Sequence, residues 1–517
     1  MRRQQKVISV VGTGVAIVVL GHFLTPESSA SLVGARVTEP VASSQVVCPQ
    51  TQVRPGLEYA AVSAIVAPIE SASPAPSPAG TASRASGSDS ASPTPSPSPS
   101  ASGAAVLAAL PNTNATPTPL ATISEPGGAA AVGPVRGRLP AVLGAAAGSL
   151  APGFSVAQWT YHWVGSTRGA AGLVCTAPST DQWFVGGGSG IGRLTTVVLI
   201  NAEDGPAQVD VDVYGPKGRV VAPAGQGVLI RPHGRVALRL TSIAPGLSVA
   251  ALHVQAQSGR VMAAVYERQS RGLISKGYEW VPTTAPSRRV VIPGGDGRAA
   301  QSLLSVLAPG GTDADVAVTL ITSDGRFIPA GRERVDAVSG RVITTDLTAA
   351  IDGQYFGIAL ESDQPIVAGL HQYAASLQSS TDSTNSTGVP ALTGPAVAVG
   401  LTNDPNFNHM MLLTAPAGIG RVGIQVVSFD GTSRKMQSFA LAAGKTSTVR
   451  IARTSTVGTF SVVVTPQPGS GPVYAASYSW AFSDRGPFAT VVPLTSLRTT
   501  VTIPDTRPDL GVAFATR

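Results

Sequence analysis

The apolar residues of this chain recur in short runs of period two. In "QVDVDVYGPKG" Val209, Val211 and Val213 alternate with polar positions ahead of Gly218, the pattern of a β-strand with one face buried. The run returns as Val316, Val318 and Leu320 before Gly325, and again as Val422, Ile424 and Val426 before Gly431. Successive copies lie about 107 residues apart. Each copy later holds a turn and a small-residue apolar strand: "SGRVMAAVY" at 258–266, "DQPIVAGLH" at 363–371 and "SGPVYAASY" at 470–478. Each then closes on Val-Pro, at Pro282, Pro390 and Pro493.

Within the first copy the runs are 194–201, 207–214, 228–230, 235–240, 248–254, 260–267 and 278–281, divided by Gly, Pro, Asp and Asn turns. Short alternating strands at this density predict an all-β chain of tandem antiparallel β-sandwiches of immunoglobulin-like type, with a β-propeller of half-repeats as the alternative. The copies are placed at 177–283, 284–392 and 393–517. Residues 36–176 read as a degenerate fourth copy, because "APGFSVAQ" at 151–158 matches "APGLSVAA" at 244–251 and Thr-Ala-Pro-Ser occurs at both 176–179 and 284–287. A Ser/Pro/Ala-rich insertion at 71–135, densest over 71–103, interrupts this copy. Without apolar periodicity it has nothing to offset its ordering entropy, so it is expected to be disordered, with Ser and Thr open to O-glycosylation.

No helix is expected beyond the N-terminus, where "MRRQQK" precedes the apolar run Val7–Leu24. Basic residues ahead of such a run direct the downstream chain across a membrane. Residues 1–30 are therefore expected to be a signal peptide or a signal anchor, and the rest to be extracytoplasmic, either membrane-anchored or secreted. The chain has two cysteines, Cys48 and Cys175, and in an oxidising compartment one disulfide between them is the economical reading.

Hydrophobic residues make up 43% and charged residues 13% of the chain, enough to give each copy a core. The formal charge is +7, but Arg2, Arg3 and Lys6 supply three of those charges. The remainder is too dilute for the basic face that nucleic acid requires.

Candidate chemistry is sparse. The glycines from Gly186 to Gly192 fit no dinucleotide or phosphate-loop pattern. Asp210 and Asp212 form a carboxylate pair on one strand face, about 6.6 Å apart by strand rise. The other copies carry Ala317 and Thr319, or Gly423 and Gln425, at those places, which favours a solvated face. His22, His162, His233, His253, His371 and His409 show no metal-ligand spacing, and no serine-hydrolase motif occurs. No cofactor and no metal are expected. In "SVAQWTYHWV", Trp159, Tyr161 and Trp163 share parity, so on a strand they form a flat aromatic strip. Such a strip either stacks sugar rings or packs inside the first domain or against the second. Trp183, Trp280 and Trp480 stand at strand ends, where core packing is expected.

At "STDQWFVGGG" (179–188), "TVVLINAEDGPAQVDVDVYGPKG" (196–218), "VLIRPHGRVAL" (228–238) and "QPIVAG" (364–369) the chain resembles a family of uncharacterised secreted proteins of actinobacteria, known only as a domain of unknown function. The likeness spans most of residues 40–510, and the cysteines look like that family's pair. It implies fold and compartment and supplies no active-site residues. The expected function is that of a non-enzymatic structural or binding protein of the bacterial envelope, engaging a wall glycan or an envelope protein. The alternative is an extracellular hydrolase or glycan-modifying enzyme whose site is assembled in space.

Overall fold

The computed structural model describes residues 37–51, 58–68, 103–112, 115–135, 139–351, 353–375, 379–454 and 458–503. The expected signal segment and the Ser/Pro/Ala tract up to residue 102 lie outside the described residues. The chain is all-β and antiparallel. It divides into two units. In the first, Val37–Pro40 pairs with Thr500–Ile503. The second runs from Val41 to Thr499 and contains four successive sandwiches.

The first sandwich has eight strands: Ser43–Cys48, Glu58–Val66, Ala104–Leu110, Thr118–Ile123, Ala129–Val135, Ala141–Ala147, Phe154–His162 and Gly169–Val174. One sheet orders them first, sixth, third, fourth, and the other fifth, second, seventh, eighth. The second sandwich, Asp181–Val185 through Ile274–Val281, repeats this order, as do the third, ending at Ser383–Thr387, and the fourth, Ala396–Thr402 through Gly486–Leu494. The third uses one long strand, Tyr355–Tyr373, as both sixth and seventh, passing from one sheet to the other. Immunoglobulin sandwiches keep the first strand in the sheet of the second and the last in the sheet of the third and sixth. Here those terminal strands are exchanged between the sheets.

One expectation is corrected. The expected disorder of the insertion extends to residue 135, yet Ala104–Leu110, Thr118–Ile123 and Ala129–Val135 are strands of the first sandwich. The Ala-rich composition of Ala104–Leu110 and Ala129–Val135 hides them, because alanine contrasts little with its polar neighbours. Helix is confined, among the described residues, to Leu240–Ile243 and short 3-10 turns.

The alternating landmarks behave as their period demands. Val209, Val211 and Val213 are fully buried, and so are Val316, Val318 and Leu320 of the third sandwich. They face the opposing sheet in two separate cores. The Cys48–Cys175 disulfide joins the first strand to the residue after the last, at a Cα separation of 4.7 Å.

Neighbouring sandwiches share apolar seams. Ala171 of the first meets Ile200, Met262 and Trp280 of the second, and Trp183 and Val185 of the second meet Leu307 and Val367 of the third. Tyr355 of the third meets Met410 and Tyr478 of the fourth, while Val399 and Val463 of the fourth return to Ile65 and Ala157 of the first. The four sandwiches thus contact one another in a closed cycle. Their eighth strands pack side by side around its centre, each touching the next.

Candidate functional site

The aromatic strip does not face solvent. Trp159 and Tyr161 are each 2% exposed, and Trp163 is partly buried against the same core. The Trp159 indole donates to the Val399 carbonyl at 2.7 Å. Tyr161 packs 4.3 Å from Phe407, and Trp163 lies edge-on to Phe488 at 4.9 Å. The cause is position. Phe154–His162 has a strand on either side, and its outer face is covered by the fourth sandwich. The sugar-stacking reading of Trp159, Tyr161 and Trp163 is therefore corrected, and the sandwich they pack against is the fourth.

Other candidates take structural roles. Asp210 accepts from the Gly227 amide and from Gln257, and Asp212 pairs with Arg219 on a partly exposed face. Gly187 has φ of 88° and lies against Thr195, whose hydroxyl accepts from the Gly188 amide, so the glycine run is a tight strand connection. His253 stacks on Trp183 at 3.8 Å, and His371 bonds Asn385 and Gln269. His409 bonds the Ser479 hydroxyl at 2.8 Å and the Thr402 carbonyl at 2.9 Å, and burial pushes its pKa down to about 4. Ser479 is wholly buried and His409 nearly so. Among the described residues no cluster of three His, Cys, Asp or Glu side chains could hold a metal.

Where the eighth strands converge, polar groups are buried and largely hydrogen-bonded, although Arg168 Nε and Glu279 Oε2 have no hydrogen-bond partner among the described residues. Asp382 accepts from the backbone amides of Ala170, Ser383 and Ala489, drawing the first, third and fourth sandwiches together. Burial raises its carboxyl to about 7 against those donors. Glu279, of the second sandwich, accepts from the Trp280 and Gly172 amides, and burial raises its pKa well above the usual carboxylate range. Buried Arg168 donates to the Pro487 carbonyl at 2.8 Å and lies 3.8 Å over the Phe488 ring. The strand Ser383–Thr387, "STNST", is polar and entirely buried. Such a centre holds the cycle together. Beside it, an apolar pocket of about 80 Å³ lies where Thr176, Val281, Val389 and Val492 meet, room for little beyond water.

The open site lies on the fourth sandwich. A groove of about 740 Å³ is lined by Phe407, His409, Arg434, Arg450, Arg453 and Trp480, with Asn403, Asn408 and Thr454 along it. Register places Arg450 opposite Met410 and Trp480 opposite Asn408, so these side chains share one sheet face. Trp480 is partly exposed and stacks on Tyr478 at 5.3 Å, which in turn meets Tyr355 of the third sandwich at 5.8 Å. Arg434 turns its guanidinium onto the Ala452 and Arg453 carbonyls. Arg450 and Arg453 are exposed and enter no ion pair among the described residues. The groove combines half-exposed aromatic area, amide and hydroxyl edges, and uncompensated positive charge. Its volume is that of a small-molecule or oligomer subsite.

Strand-end position points Trp480 toward a core, and nothing in the repeat pattern marks the arginines. A usable signal exists, since no acidic residue occurs between Asp430 and Asp484 while Arg434, Lys435, Lys445, Arg450 and Arg453 all fall there.

Fold and groove together define a disulfide-closed array of β-sandwiches with an open groove on its fourth member. The chain belongs to a family of unknown function (DUF5719), whose sequence profile matches residues 130–452. No curated protein and no solved structure matches it.

Proposed function

We propose that this protein is a non-enzymatic, extracytoplasmic binding protein of the bacterial cell envelope that engages a wall glycan. The observation that carries this reading is the open groove of Arg434, Arg450, Arg453 and Trp480. It offers ring-stacking area and hydrogen-bonding edges. The disulfide supports an oxidising compartment. The basic, then apolar, N-terminal residues supply export and, where uncleaved, a membrane anchor. The test is co-sedimentation of the purified protein with insoluble wall material from the native cells. Retention in the pellet without release of soluble sugar is expected. Release of sugar would favour the enzyme reading, and a protein that stays wholly in the supernatant would overturn the glycan reading.

A further inference from the structure

The groove carries more information than a capacity to bind. Resting on the wall-glycan reading, we infer that its ligand is an anionic glycan, a polymer whose sugar rings bear phosphate or carboxylate, with a ring on Trp480 and the anion between Arg450 and Arg453. The first argument is charge. Among the described residues Arg450 and Arg453 stand exposed without an acidic partner, and the segment that supplies them has no Asp or Glu for its whole length from 431 to 483. Some surface arginines are answered, Arg219 by Asp212, Arg260 by Glu203, Arg298 by Asp296 and Arg334 by Asp315, and others such as Arg271, Arg326 and Arg341 are exposed without an ion pair among the described residues. What sets Arg450 and Arg453 apart is that they line one groove together with Trp480. An uncompensated pair in a concave site focuses positive potential on whatever enters, and guanidinium geometry suits carboxylate and phosphate oxygens.

The second argument is the surface beside the charge. Trp480 is held flat by its stack on Tyr478, and Tyr478 is fixed by its hydroxyl bond to Asp296 at 3.0 Å. Tyr355 continues the ladder toward the third sandwich, with Arg298 over its ring at 4.5 Å. Arg450 and Arg453 line the same groove as Trp480, and register places Arg450 on the sheet face that carries Trp480. A preformed ring platform with flanking guanidinium groups suits a charged sugar better than a neutral one, which would leave both cations unanswered. Single-stranded nucleic acid is also anionic and stacks, but it calls for several successive platforms, and among the described lining residues Trp480 is the one ring left open to a base.

The test measures affinity of the whole chain, by affinity electrophoresis or calorimetry, for polygalacturonate, a phosphomannan, dextran and oligo-dT, alongside native wall polysaccharide. Binding of polygalacturonate or the phosphomannan is expected at least tenfold tighter than dextran or oligo-dT, and whichever of the two binds tighter identifies carboxylate or phosphate as the anion. Raising salt should weaken it steeply. Arg450→Ala with Arg453→Ala should cut affinity for the anionic polymer and for native wall material at least tenfold, with melting unchanged because both side chains are exposed. Trp480→Phe should weaken binding several-fold, and Arg450→Lys with Arg453→Lys should restore part of it. Equal affinity for dextran, preference for oligo-dT, or unaltered binding by the arginine variants would overturn the inference. In any of these cases, retention of native wall material would leave the glycan reading standing, whereas failure of the native protein to bind any polysaccharide would remove both.

Discussion

The indole nitrogen of Trp159 donates to the carbonyl of Val399, a residue 240 positions later in the chain, at 2.7 Å. That bond fastens the first sandwich to the fourth and closes the cycle. Around it, Tyr161 and Ala170 sit in the same core as Phe407, Phe460 and Phe488.

Replacing Trp159 by Ala should therefore destabilise the whole cycle. The expected cost is about 3–5 kcal/mol, for lost packing and the cavity left behind. Trp159→Phe keeps most of the ring but strands the Val399 carbonyl, and should cost about 1–3 kcal/mol. Chemical denaturation followed by a probe in each half of the chain checks this. Both halves should lose stability together, and an effect confined to the first sandwich would contradict the shared core.

Reduction of Cys48–Cys175 removes a crosslink across a sequence separation of 127 residues. The chain-entropy argument gives a loss on the order of 5 kcal/mol. Because Trp159 and Tyr161 complete the fourth core, loosening the first sandwich should also raise amide hydrogen exchange in Phe407–Ala415 and Gly486–Leu494. Exchange that rises only within residues 43–174 would show that the cycle opens without consequence for its last member.

The carboxyl of Asp382 makes stability pH-dependent. Its folded pKa of about 7 lies above the ordinary value of 3.8, so the native state holds a proton that the unfolded chain releases. The contribution is fully present below the unfolded value and is lost as pH rises through about 7. His409 acts in the opposite sense: its folded pKa of about 4 lies below 6.5, so its contribution is present above 6.5 and lost as pH falls toward 4. Asp382→Asn isolates the first effect. Between pH 5 and 8 the native protein should lose stability relative to this variant, and parallel curves for the two would show that Asp382 does not titrate.

Much of the fold is written locally. Val209, Val211 and Val213 alternate because every second side chain of a strand meets the opposing sheet, and that period survives in any single run of sequence. The two cysteines could be paired without coordinates because no other partner exists for either. The repeat spacing likewise reflects a local unit, one sandwich with its own core.

Relationships between units are not legible in this way. Phe154–His162 is buried on both faces, so its aromatic parity resembles an exposed strip until the fourth sandwich is seated on it. Ser383–Thr387 is wholly polar in sequence, yet it lies buried at the centre, where Ser386 bonds the Pro293 carbonyl and Asn385 bonds His371. Arg434, Arg450 and Arg453 come from separate strands and loops, and their charge adds only where folding brings them to one groove. Alternation is set by each strand's own geometry. Which face a neighbour covers, and which charges end up side by side, depends on contacts between residues hundreds of positions apart, and no local period encodes them.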